Sequence, residues 1–591
     1  MILKDFPIIS FDGGVVRNKS SYAMKKNELL SAYNVEIDEL GRIIKRKGFQ
    51  HHGTYYVGDD SFTDLNPVAA SAENSFSYVL NAASAAMSFR HFVNDAISTG
   101  RVWEIRGDRL TAAITTASTT IVLSDATYFP SSANGMVEIE GNIINYTGRT
   151  SNTLTGVTGI TSSHAIGAPV HISRQITAPT PTTWDFTAGG YYAMASDGTT
   201  NDELFISSRT FLTWIGDGGV NATGSTTVTV LFITNYRDRL YGCGSGAESL
   251  ATSGVNRVFY SALGNGTSWT TASYFDVSDA KGDITTGQIV FADKLLIFKT
   301  NSFFVYNQVT LKQKSTIVGA YNNKVIQEVN GLIYTTSPSG VWVTNGVSSK
   351  KISKPVEEYL KHFKPIRDAN NRVVTNIFGF KYRDFYGIYI KDITKPESLS
   401  DVCLVYDTVK KNWTIHHSGY SDFVHINSFP RFLFGNRLQD QEGIFAGGTT
   451  PDGTSMRYWK LYSNEHYTGA GASAGGDILT DLFFNTGTQI SASFETPLYD
   501  LNTPQYIKKF KYIRGLSEVV GWNSEYRVEN KEGVTGYKPI GQFQRPNQRL
   551  AIPNTPLGYR IGFRFSNNDR NSTGVFNGFI IEDTEAIPSK Q

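Results

Sequence analysis

The amino-acid sequence predicts an all-β protein: a β-propeller with an inserted small β domain and a C-terminal β-sandwich-like region. Aromatic residues make up 13% of the 591 residues, and 55 glycines separate short apolar runs, a composition typical of strands and tight turns. A polar turn followed by a short aromatic strand recurs at intervals of roughly 40 to 55 residues, the length of a four-stranded propeller blade. The only long stretches compatible with helix are residues 20–34 and 354–363, the second beginning after Ser353.

Residues 1–60 are predicted to form a docking segment. It contains a turn at Gly13-Gly14, a strand at 34–38, a turn at Gly41 and an Arg-Lys-Gly ending at 46–48. These signals indicate short strands joined by glycine-containing turns.

A run of basic residues within this segment, 42–47 (RIIKRK), is the main cationic cluster of the chain. Its alternation with isoleucine predicts a strand with a solvated face rather than a DNA contact. The formal net charge is only +2, with 55 basic and 53 acidic residues. Tight phosphate binding needs clustered cations, so the composition does not favour a sequence-specific nucleic-acid binder.

Residues 106–176 are predicted to be a small β domain inserted into the propeller. Its apolar runs, among them 137–141, 144–148 and 154–157, are three to five residues long with turn residues between them. His164 and His171 lie seven residues apart with no third donor near them, so we expect His164 to stabilise a turn rather than to bind a metal.

Residues 61–105 and 177–467 are predicted to form the propeller, with five or six blades. The recurring turn-and-strand unit occupies 237–242, 292–298, 330–334, 382–387 and 430–435. Because blades pack on both faces, the strands need not alternate cleanly between apolar and polar residues. The predicted core residues of the repeat are Leu240, Leu295, Leu332, Phe385 and Phe432.

Residues 468–591 are predicted to form the C-terminal β region, with alternating strands that resemble one sheet of a sandwich. One of its strands is a candidate to close the propeller ring. The glycine-rich run 468–476 lacks the strand-to-helix context and the following Lys-Ser/Thr of a phosphate-binding loop, so we interpret it as a flexible loop.

The search for reactive groups assigns no catalytic, cofactor-binding or metal-binding residue. Asp238, Asp293 and Asp384 occupy equivalent places in the repeat, where aspartate stabilises turns through backbone hydrogen bonds. Adjacent histidines on a strand, 51–52 and 416–417, point to opposite faces and cannot chelate one ion. Cys243 and Cys403 are predicted to be buried free thiols.

Two parts of the chain carry a resemblance to phage tail proteins. The order of turns and strands in residues 11–48 resembles the N-terminal segment of podovirus tail nozzle and tail hub proteins of the tail tubular B-like type. The inserted domain is similar to a small β module of phage tail proteins, through a Glu-Ile-Glu strand at 138–140, Tyr-Thr-Gly at 146–148, Leu-Thr-Gly-Val at 154–157 and the histidine at 164.

The resemblance implies a virion structural protein made in the host cytoplasm. Such a protein would form a ring, expected to be a homohexamer, below the adaptor and portal proteins. It would give tail fibres or spikes a platform and would contact the phage DNA transiently during ejection. No cofactor and no membrane anchor are expected, and the N-terminal sequence lacks the pattern of a secretion signal.

A second hypothesis remains open at this stage. Under this hypothesis, the chain is a receptor-binding or glycan-cleaving tail protein whose propeller carries a sugar site lined by Trp and Tyr. Propeller glycosidases take their two carboxylates from different blades, so sequence spacing does not exclude this class. Trp214, Trp342 and Trp413 are available for such a site, although packing between blades is their expected use.

Overall fold

A computed structural model of the chain describes most of its predicted strands. The described residues are 1–47, 50–57, 66–67, 72–79, 89–95, 102–124, 126, 129, 135–139, 142–176, 191–196, 202–207, 212–215, 228, 230–243, 256–278, 283–367, 377–391, 401–417, 423–429, 443–449, 456–461, 480–481, 488–568 and 574–588. Within them strands dominate, and no helix is long and apolar enough to cross a membrane.

Helix is confined to short pieces in the described residues. A 3-10 helix at Lys354–Val356 leads into the α-helix Glu357–Lys361, which confirms the second predicted helix, and a further 3-10 helix spans Asn323–Val325. The predicted cap Ser353 precedes this helix but makes no side-chain capping hydrogen bond. The prediction for residues 20–34 is wrong: they form turns and two strands, because sheet pairing at 31–33 overrides local helix propensity.

The beginning of the chain is a series of short strands. They are β1 (Phe6–Ile8), β2 (Gly14–Val15), β3 (Glu28–Leu29), β4 (Ser31–Tyr33), β5 (Val35–Ile37), β6 (Ile43–Lys45), β7 (Gln50–Val57) and β8 (Asn66–Pro67). Strands β5 and β6 form an antiparallel hairpin, and β2 pairs with β3 in parallel.

The next strands build the first blade and the insertion. They are β9 (Ala72–Val79), β10 (Phe89–Asp95), β11 (Val102–Arg109), β12 (Thr120–Val122), β13 (Gly135–Ile139), β14 (Asn142–Tyr146), β15 (Gly148–Thr150), β16 (Thr153–Thr155) and β17 (Pro169–Ile176). One sheet has the order β14-β13-β17-β11-β10-β9, and a second has the order β12-β16-β15. The predicted boundary at residue 106 therefore falls inside β11, which continues from the blade into the insertion.

Successive antiparallel sheets follow along the chain. Their strands are β18 (Tyr191–Ser196), β19 (Asp202–Ser207), β20 (Leu212–Ile215), β21 (Phe232–Tyr236), β22 (Arg239–Cys243), β23 (Arg257–Ala262), β24 (Asn265–Asp276), β25 (Thr285–Phe291), β26 (Lys294–Lys299), β27 (Phe303–Tyr306), β28 (Leu311–Ser315), β29 (Gln327–Val329), β30 (Leu332–Ser337), β31 (Gly340–Thr344), β32 (Ser349–Lys351), β33 (Ile377–Tyr382), β34 (Phe385–Lys391), β35 (Asp401–Asp407), β36 (Asn412–His416), β37 (Phe423–Phe429), β38 (Gly443–Thr449) and β39 (Met456–Leu461).

These sheets are the blades of a β-propeller. We number them blade 1 (β9–β11 with β17), blade 2 (β18–β20), blade 3 (β21–β24), blade 4 (β25–β28), blade 5 (β29–β32), blade 6 (β33–β36) and blade 7 (β37–β39 with β7). The described strands thus form seven sheets where five or six were predicted, because blades 1 and 2 lie outside the recognised repeat. Strand β7, from the beginning of the chain, completes blade 7 by pairing with β39. Closure comes from this strand and not from the C-terminal region.

The repeat corresponds to the hairpin between the first and second strands of a blade. Two residues form the turn in blades 3 to 6, and the second residue after each turn, namely Leu240, Leu295, Ile333 and Tyr386, is fully buried. The predictions for Leu240 and Leu295 are confirmed. Leu332 and Phe385 are only half-buried, because they are the first residues after their turns, and Phe432 lies outside the described residues.

The C-terminal region continues the sheet of blade 6. Its strands are β40 (Thr480–Asp481), β41 (Thr488–Gln489), β42 (Ala492–Glu495), β43 (Tyr506–Lys509), β44 (Tyr512–Gly515), β45 (Asn523–Asn530), β46 (Gly533–Val534), β47 (Lys538–Gln542), β48 (Arg549–Ala551), β49 (Leu557–Gly558), β50 (Arg560–Asn567), β51 (Phe579–Glu582) and β52 (Glu585–Pro588). Strand β4 lies between β36 and β42, so one ten-stranded sheet runs from blade 6 through β4 into β42, β50 and β45.

A second sheet, β1-β51-β44-β48, completes the sandwich-like part. Aromatic rings fill the space between the two sheets: the ring centroids of Phe494 and Phe576 are 4.9 Å apart, and those of Phe565 and Phe579 are 5.1 Å apart. The buried residues of the docking segment, blades 4 to 6 and the C-terminal region belong to one hydrophobic cluster. These parts therefore share one core.

Candidate functional site

The three repeat aspartates lie in the turns of the blade hairpins. Arg237 and Asp238 both have positive φ, as do Ala292 and Asp293, which is the geometry of two-residue hairpin loops. Asp293 accepts a hydrogen bond from Arg237 Nε at 2.9 Å, and this ion pair holds the pKa of the Asp293 carboxyl below its ordinary value.

Asp384 plays the same kind of part in blade 6. Its Oδ1 accepts a hydrogen bond from Asn330 Nδ2 of blade 5 at 2.8 Å. All three aspartates lie in turns, and the side chains of Asp293 and Asp384 link neighbouring blades instead of making the predicted backbone hydrogen bonds.

The histidines are dispersed among backbone partners. His164 is buried in the insertion, where its backbone bridges Ile114 and its Nε2 lies 3.4 Å from Asn142 Nδ2. His171 lies in β17, and His51 and His52 lie in β7, but their side chains fall outside the described part of the chain. No group of three potential metal ligands occurs among the described residues.

A junction of buried polar groups joins the docking segment, blade 6 and the C-terminal region. Its centre is Asn34, which connects β4 to β5 with a positive φ of 53°. Asn34 Oδ1 accepts hydrogen bonds from Arg46 Nε at 3.0 Å and from the backbone N–H of His417 at 2.9 Å. Its Nδ2 donates to the carbonyl of Ser491 at 2.9 Å. One side chain thus fixes three parts of the chain.

The basic run 42–47 lies at this junction, and its predicted solvated face is wrong. Lys45 and Arg46 are both buried. Arg46 also donates to the carbonyl of Lys47 at 3.0 Å, so its guanidinium is satisfied by protein groups instead of water. No local sequence signal indicates this burial, because the hydrogen-bond acceptor of the guanidinium, Asn34 Oδ1, lies twelve residues earlier in the chain.

Two glycines are required by the local geometry: Gly14 where the docking segment meets blade 6, and Gly41 within the segment. Gly14 has a φ of +60°, and a Cβ there would lie 2.7 Å from the Cβ of Asn412 in blade 6. Gly41 has a φ of +75°, and a Cβ there would clash with the side chain of Ser10. Any larger residue at Gly14 would separate the docking segment from β36.

A small cavity lies beside the junction. Glu36, Asp407 and His416 are among the residues that line it, and its volume of about 10 Å³ holds about one water molecule. Burial raises the pKa of the Glu36 carboxyl. Burial, together with the charge of Arg46, lowers the pKa of His416 to about 3, while its Nε2 lies 3.2 Å from the carbonyl of Val35.

The chemistry available in this cavity is limited. His416 is neutral at physiological pH and is held by a backbone carbonyl. Asp407 is already engaged, because its Oδ1 accepts from the backbone N–H groups of Val409 and Lys410, both at 2.9 Å. The cavity has no room for a sugar ring, so we interpret it as part of the packing.

The cysteines and tryptophans also serve packing. Cys243 and Cys403 are buried and form no disulfide, as predicted. Trp413 is buried and donates its Nε1–H to the carbonyl of Ile352 at 3.0 Å, while Trp342 is half-buried and donates to Ser339 Oγ at 2.9 Å. The side chain of Trp214 and the glycine-rich run 468–476 lie outside the described residues.

Comparisons with known proteins give only loose structural similarity. No protein-family model matches the chain, and no curated protein matches it. Among solved structures it is similar to the WD40 domain of Neurospora crassa Pan2, with 10% identity, coverage of 61% of this chain and 98% of that chain, and a TM-score of 0.29. It is also similar to an exo-β-1,3-galactanase from Phanerochaete chrysosporium with galactose, with 9% identity, 68% and 98% coverage, and a TM-score of 0.22.

A third similar structure is a glycoside hydrolase family 43 arabinoxylan arabinofuranohydrolase from Bacillus subtilis, with 10% identity, 83% and 93% coverage, and a TM-score of 0.21. Superpositions this loose carry no argument about function. The propeller assignment rests instead on the strand order of this chain and on the closure of blade 7 by β7.

Proposed function

We propose that this chain is a virion structural protein that forms the ring-shaped nozzle or hub at the end of a short phage tail. In this role it acts as a conduit for the genome and a platform for other tail components. Its partners are further copies of itself, expected as a hexamer, the adaptor and portal proteins, and tail fibres or spikes. Phage DNA passes through the ring with only transient contact.

The observation that carries the proposal is the position of the residues on which the resemblance rests. Gly14, Asn34 and Arg46 each have a geometric task where the docking segment meets blade 6 and the C-terminal region, and Gly41 makes room for Ser10 within the segment. We infer that proteins with this motif have a propeller that is rigidly fixed to a terminal domain. A ring that withstands genome passage needs such a rigid subunit.

No reactive centre is assigned among the residues that the structure describes. The repeat aspartates brace turns, and the cavity at Glu36 and His416 holds about one water molecule. The proposal therefore includes no enzymatic activity.

Cryo-electron microscopy of purified virions tests the proposal. We expect density for this chain as an axial ring below the adaptor. A peripheral spike would contradict it and would favour a receptor-binding protein. Purified protein should release no sugar from host polysaccharide, and release that is lost when paired propeller carboxylates are replaced would identify a glycan-cleaving enzyme.

A further inference from the structure

Positive charge is concentrated in one part of the chain, from the outer strand of blade 4 through blade 5 to the connection that leads to blade 6. Residues 311–367 contain nine basic and three acidic residues, a net charge of +6, whereas the whole chain of 591 residues carries +2. The rest of the chain is therefore net acidic. At most two of these basic residues are adjacent, so the excess is not visible as a basic run in the sequence.

Five lysines of this region are exposed and form no ion pair with a described residue. Two lie on β28 and one on β32, the outermost strands of blades 4 and 5, and two lie on the connection from blade 5 to blade 6. We call them the lysine strip; they are Lys312, Lys314, Lys350, Lys354 and Lys361. Lys364 and Arg367, which are also exposed, extend this cationic surface.

Lys312 lies on the side of blade 4 that faces blade 5. It pairs with Val305 of β27, whose side chain shares a buried cluster with Ile333 of blade 5. The neighbouring residue of β27, Phe304, belongs instead to the cluster shared with blade 3. Because paired residues of antiparallel strands project to the same side of a sheet, Lys312 is directed toward blade 5.

The outer edges of blades 4 and 5 meet through Ser339. Its Oγ donates to the carbonyl of Ile317, two residues after β28, at 2.6 Å, and accepts from Trp342 Nε1 of β31 at 2.9 Å. Trp342 in turn pairs with Lys351 of β32. The two edge strands that carry the strip therefore belong to one continuous surface.

The connection from blade 5 to blade 6 lies against the same surface. Lys351 Nζ forms an ion pair with Glu357 of the α-helix at 2.7 Å. Phe363, two residues after the helix, is buried against Tyr321, which lies between blades 4 and 5, with the ring centroids 5.4 Å apart. The side of the connection that carries this ring is buried, so its two strip lysines lie on the outward side.

The acidic residues of the region do not neutralise the strip. Glu357 is engaged by a lysine outside the strip, and Glu358 lies 3.8 Å from Arg17 of the docking segment. Glu328 lies in β29 beside the turn that joins it to β30, away from the edge strand β32. Asp283, at the beginning of blade 4, accepts a hydrogen bond from the backbone N–H of Asn301 at 2.6 Å. The positive charge of the strip is therefore available to a partner.

The composition of the strip favours a polyanion over a protein partner. Protein interfaces are depleted in lysine and enriched in aromatic residues, methionine and arginine. On the two edge strands, the exposed residues other than lysine are Gln313 and Ser349, which offer no apolar anchor. Duplex DNA carries about one negative charge per 1.7 Å of its axis, and lysine contacts phosphate as a point charge without reading the bases.

We infer that the lysine strip binds the phosphate backbone of duplex DNA and is the surface on which the passing genome makes its transient contact. The inference rests on the proposed conduit function and names the part of the subunit that faces the DNA. At about 0.9 per phosphate, five contacts give a slope of affinity against salt, on logarithmic scales, of about −4.5. Such binding is weak and independent of sequence, so it guides the genome without holding it.

Titration of a labelled DNA duplex with the purified full-length chain, followed by fluorescence anisotropy, tests the inference. The strip variant combines Lys312→Gln, Lys314→Gln and Lys350→Gln, all at exposed positions, and should keep the melting temperature of the parent. Between about 50 and 200 mM salt the parent should lose about 40-fold more affinity than this variant, because three phosphate contacts fewer reduce the slope by about 2.7.

A matched control removes the same charge elsewhere. It combines Lys25→Gln, Lys531→Gln and Lys538→Gln, which replace exposed lysines of the docking segment and the C-terminal region that form no ion pair with a described residue. The control should retain the salt dependence of the parent. Equal changes in the two variants would show that net charge governs binding, and an unchanged slope in the strip variant would show that the strip does not contact DNA. Either result overturns the inference.

Two further outcomes would also overturn it. No binding of the duplex by the parent at about 50 mM salt would remove the site, since phosphate contacts are stronger at low salt. Tighter binding of poly-glutamate than of the duplex would identify an acidic protein as the partner. Failure of the proposed function is distinguishable from these results. An axial ring in virions whose strips face away from the DNA would overturn this inference alone, whereas strip-dependent DNA binding by a chain that forms a peripheral spike would leave the binding surface and remove the proposed function.

Discussion

The inserted domain and the docking segment both carry the resemblance to tail proteins, but they are built in opposite ways. The insertion has its own core cluster of fifteen buried residues between Leu110 and Val170. The docking segment has none: its buried residues join the cluster that includes blades 4 to 6 and the C-terminal region. Its strand β4 also lies in the middle of the ten-stranded sheet.

The difference teaches that a segment can be recognisable in sequence without being separable in structure. A module with its own core contributes little to the stability of its host. A segment that shares a core contributes through every contact, so removing the docking segment is expected to destabilise the propeller. The docking role itself stays a prediction, and the following experiments probe the contrast.

The largest expected effect is that of deleting residues 1–47. The deletion removes several fully buried aliphatic and aromatic side chains, and five of the larger ones are Phe11, Val15, Leu29, Val35 and Ile43. At about 1.5–3 kcal/mol each they contribute roughly 7–15 kcal/mol, which is comparable with the whole stability of about 5–15 kcal/mol of a typical domain. We expect insoluble protein or loss of cooperative thermal unfolding, measured by solubility and calorimetry.

A matched control within the same segment is Tyr22→Ala. The Tyr22 side chain is 53% exposed and its hydroxyl donates to Glu529 Oε1 at 2.6 Å. This variant should fold like the parent. A soluble truncated chain that melts cooperatively would contradict the shared-core interpretation.

A single truncation in the shared core should have the next largest effect. Phe576 is fully buried, its ring centroid lies 5.9 Å from that of Phe11, and its backbone bridges Ile43. Phe576→Ala should lower the free energy of unfolding of the propeller and C-terminal region by about 3–5 kcal/mol.

The paired variant is Leu154→Ala, which removes an equally buried side chain from the insertion. Its cost should be confined to the insertion, so hydrogen exchange should rise between β12 and β17 and remain unchanged in blades 3 to 6. Equal exchange increases in both regions would show that the two cores are coupled.

Particular residues show how far sequence reasoning reaches. Strand content, the turn role of Asp293 and the burial of both cysteines follow from local chemistry, so they were predictable. Among the predicted core residues of the repeat, Leu240 and Leu295 are confirmed. Leu332 and Phe385 each lie one residue too early, because residue type and not turn position defined the copies. Aligning them by the turn selects Ile333 and Tyr386 in place of Leu332 and Phe385.

The junction was not predictable from one sequence. The burial of Arg46 depends on Asn34, His417 and Ser491, which the fold brings together from distant parts of the chain.

Acid should weaken the shared core through His416. Its folded pKa is about 3, below the unfolded value of 6.5, so the unfolded state binds the proton first as pH falls. Stability from this group is present above pH 6.5 and is lost as pH falls from 6.5 through 3, by up to about 5 kcal/mol at 1.36 kcal/mol per pH unit. The raised pKa of the Glu36 carboxyl has the opposite effect. As pH falls toward the ordinary glutamate pKa of 4.5, the folded state binds this proton more readily than the unfolded state, which offsets part of the loss.

The difference between the parent and a His416→Gln variant isolates the histidine. Denaturant unfolding at pH 7 and pH 4 should show a smaller acid loss in the variant. His362→Gln, half-buried after the α-helix, is the matched control and should keep the loss seen in the parent. If the parent and His416→Gln lose equal stability, His416 is not the acid-sensitive group.

The smallest effect on the rest of the molecule should come from deleting the insertion. Leu110 and Ala168 lie side by side, because the N–H of Leu110 donates to the carbonyl of Ala168 at 3.0 Å and the N–H of Gly167 donates back to Leu110 at 2.8 Å. Residues 111–167 can therefore be replaced by an Asn-Gly turn, which suits a two-residue antiparallel connection between β11 and β17. The melting temperature of the remainder should change by no more than about 2–4 °C. Such a result, together with an unfolded 1–47 deletion, would establish that the two segments differ in where their cores lie. Aggregation of the shortened chain would contradict it. Strand β13, which pairs with β17 at Val170 and His171, would then be needed to protect the edge of blade 1.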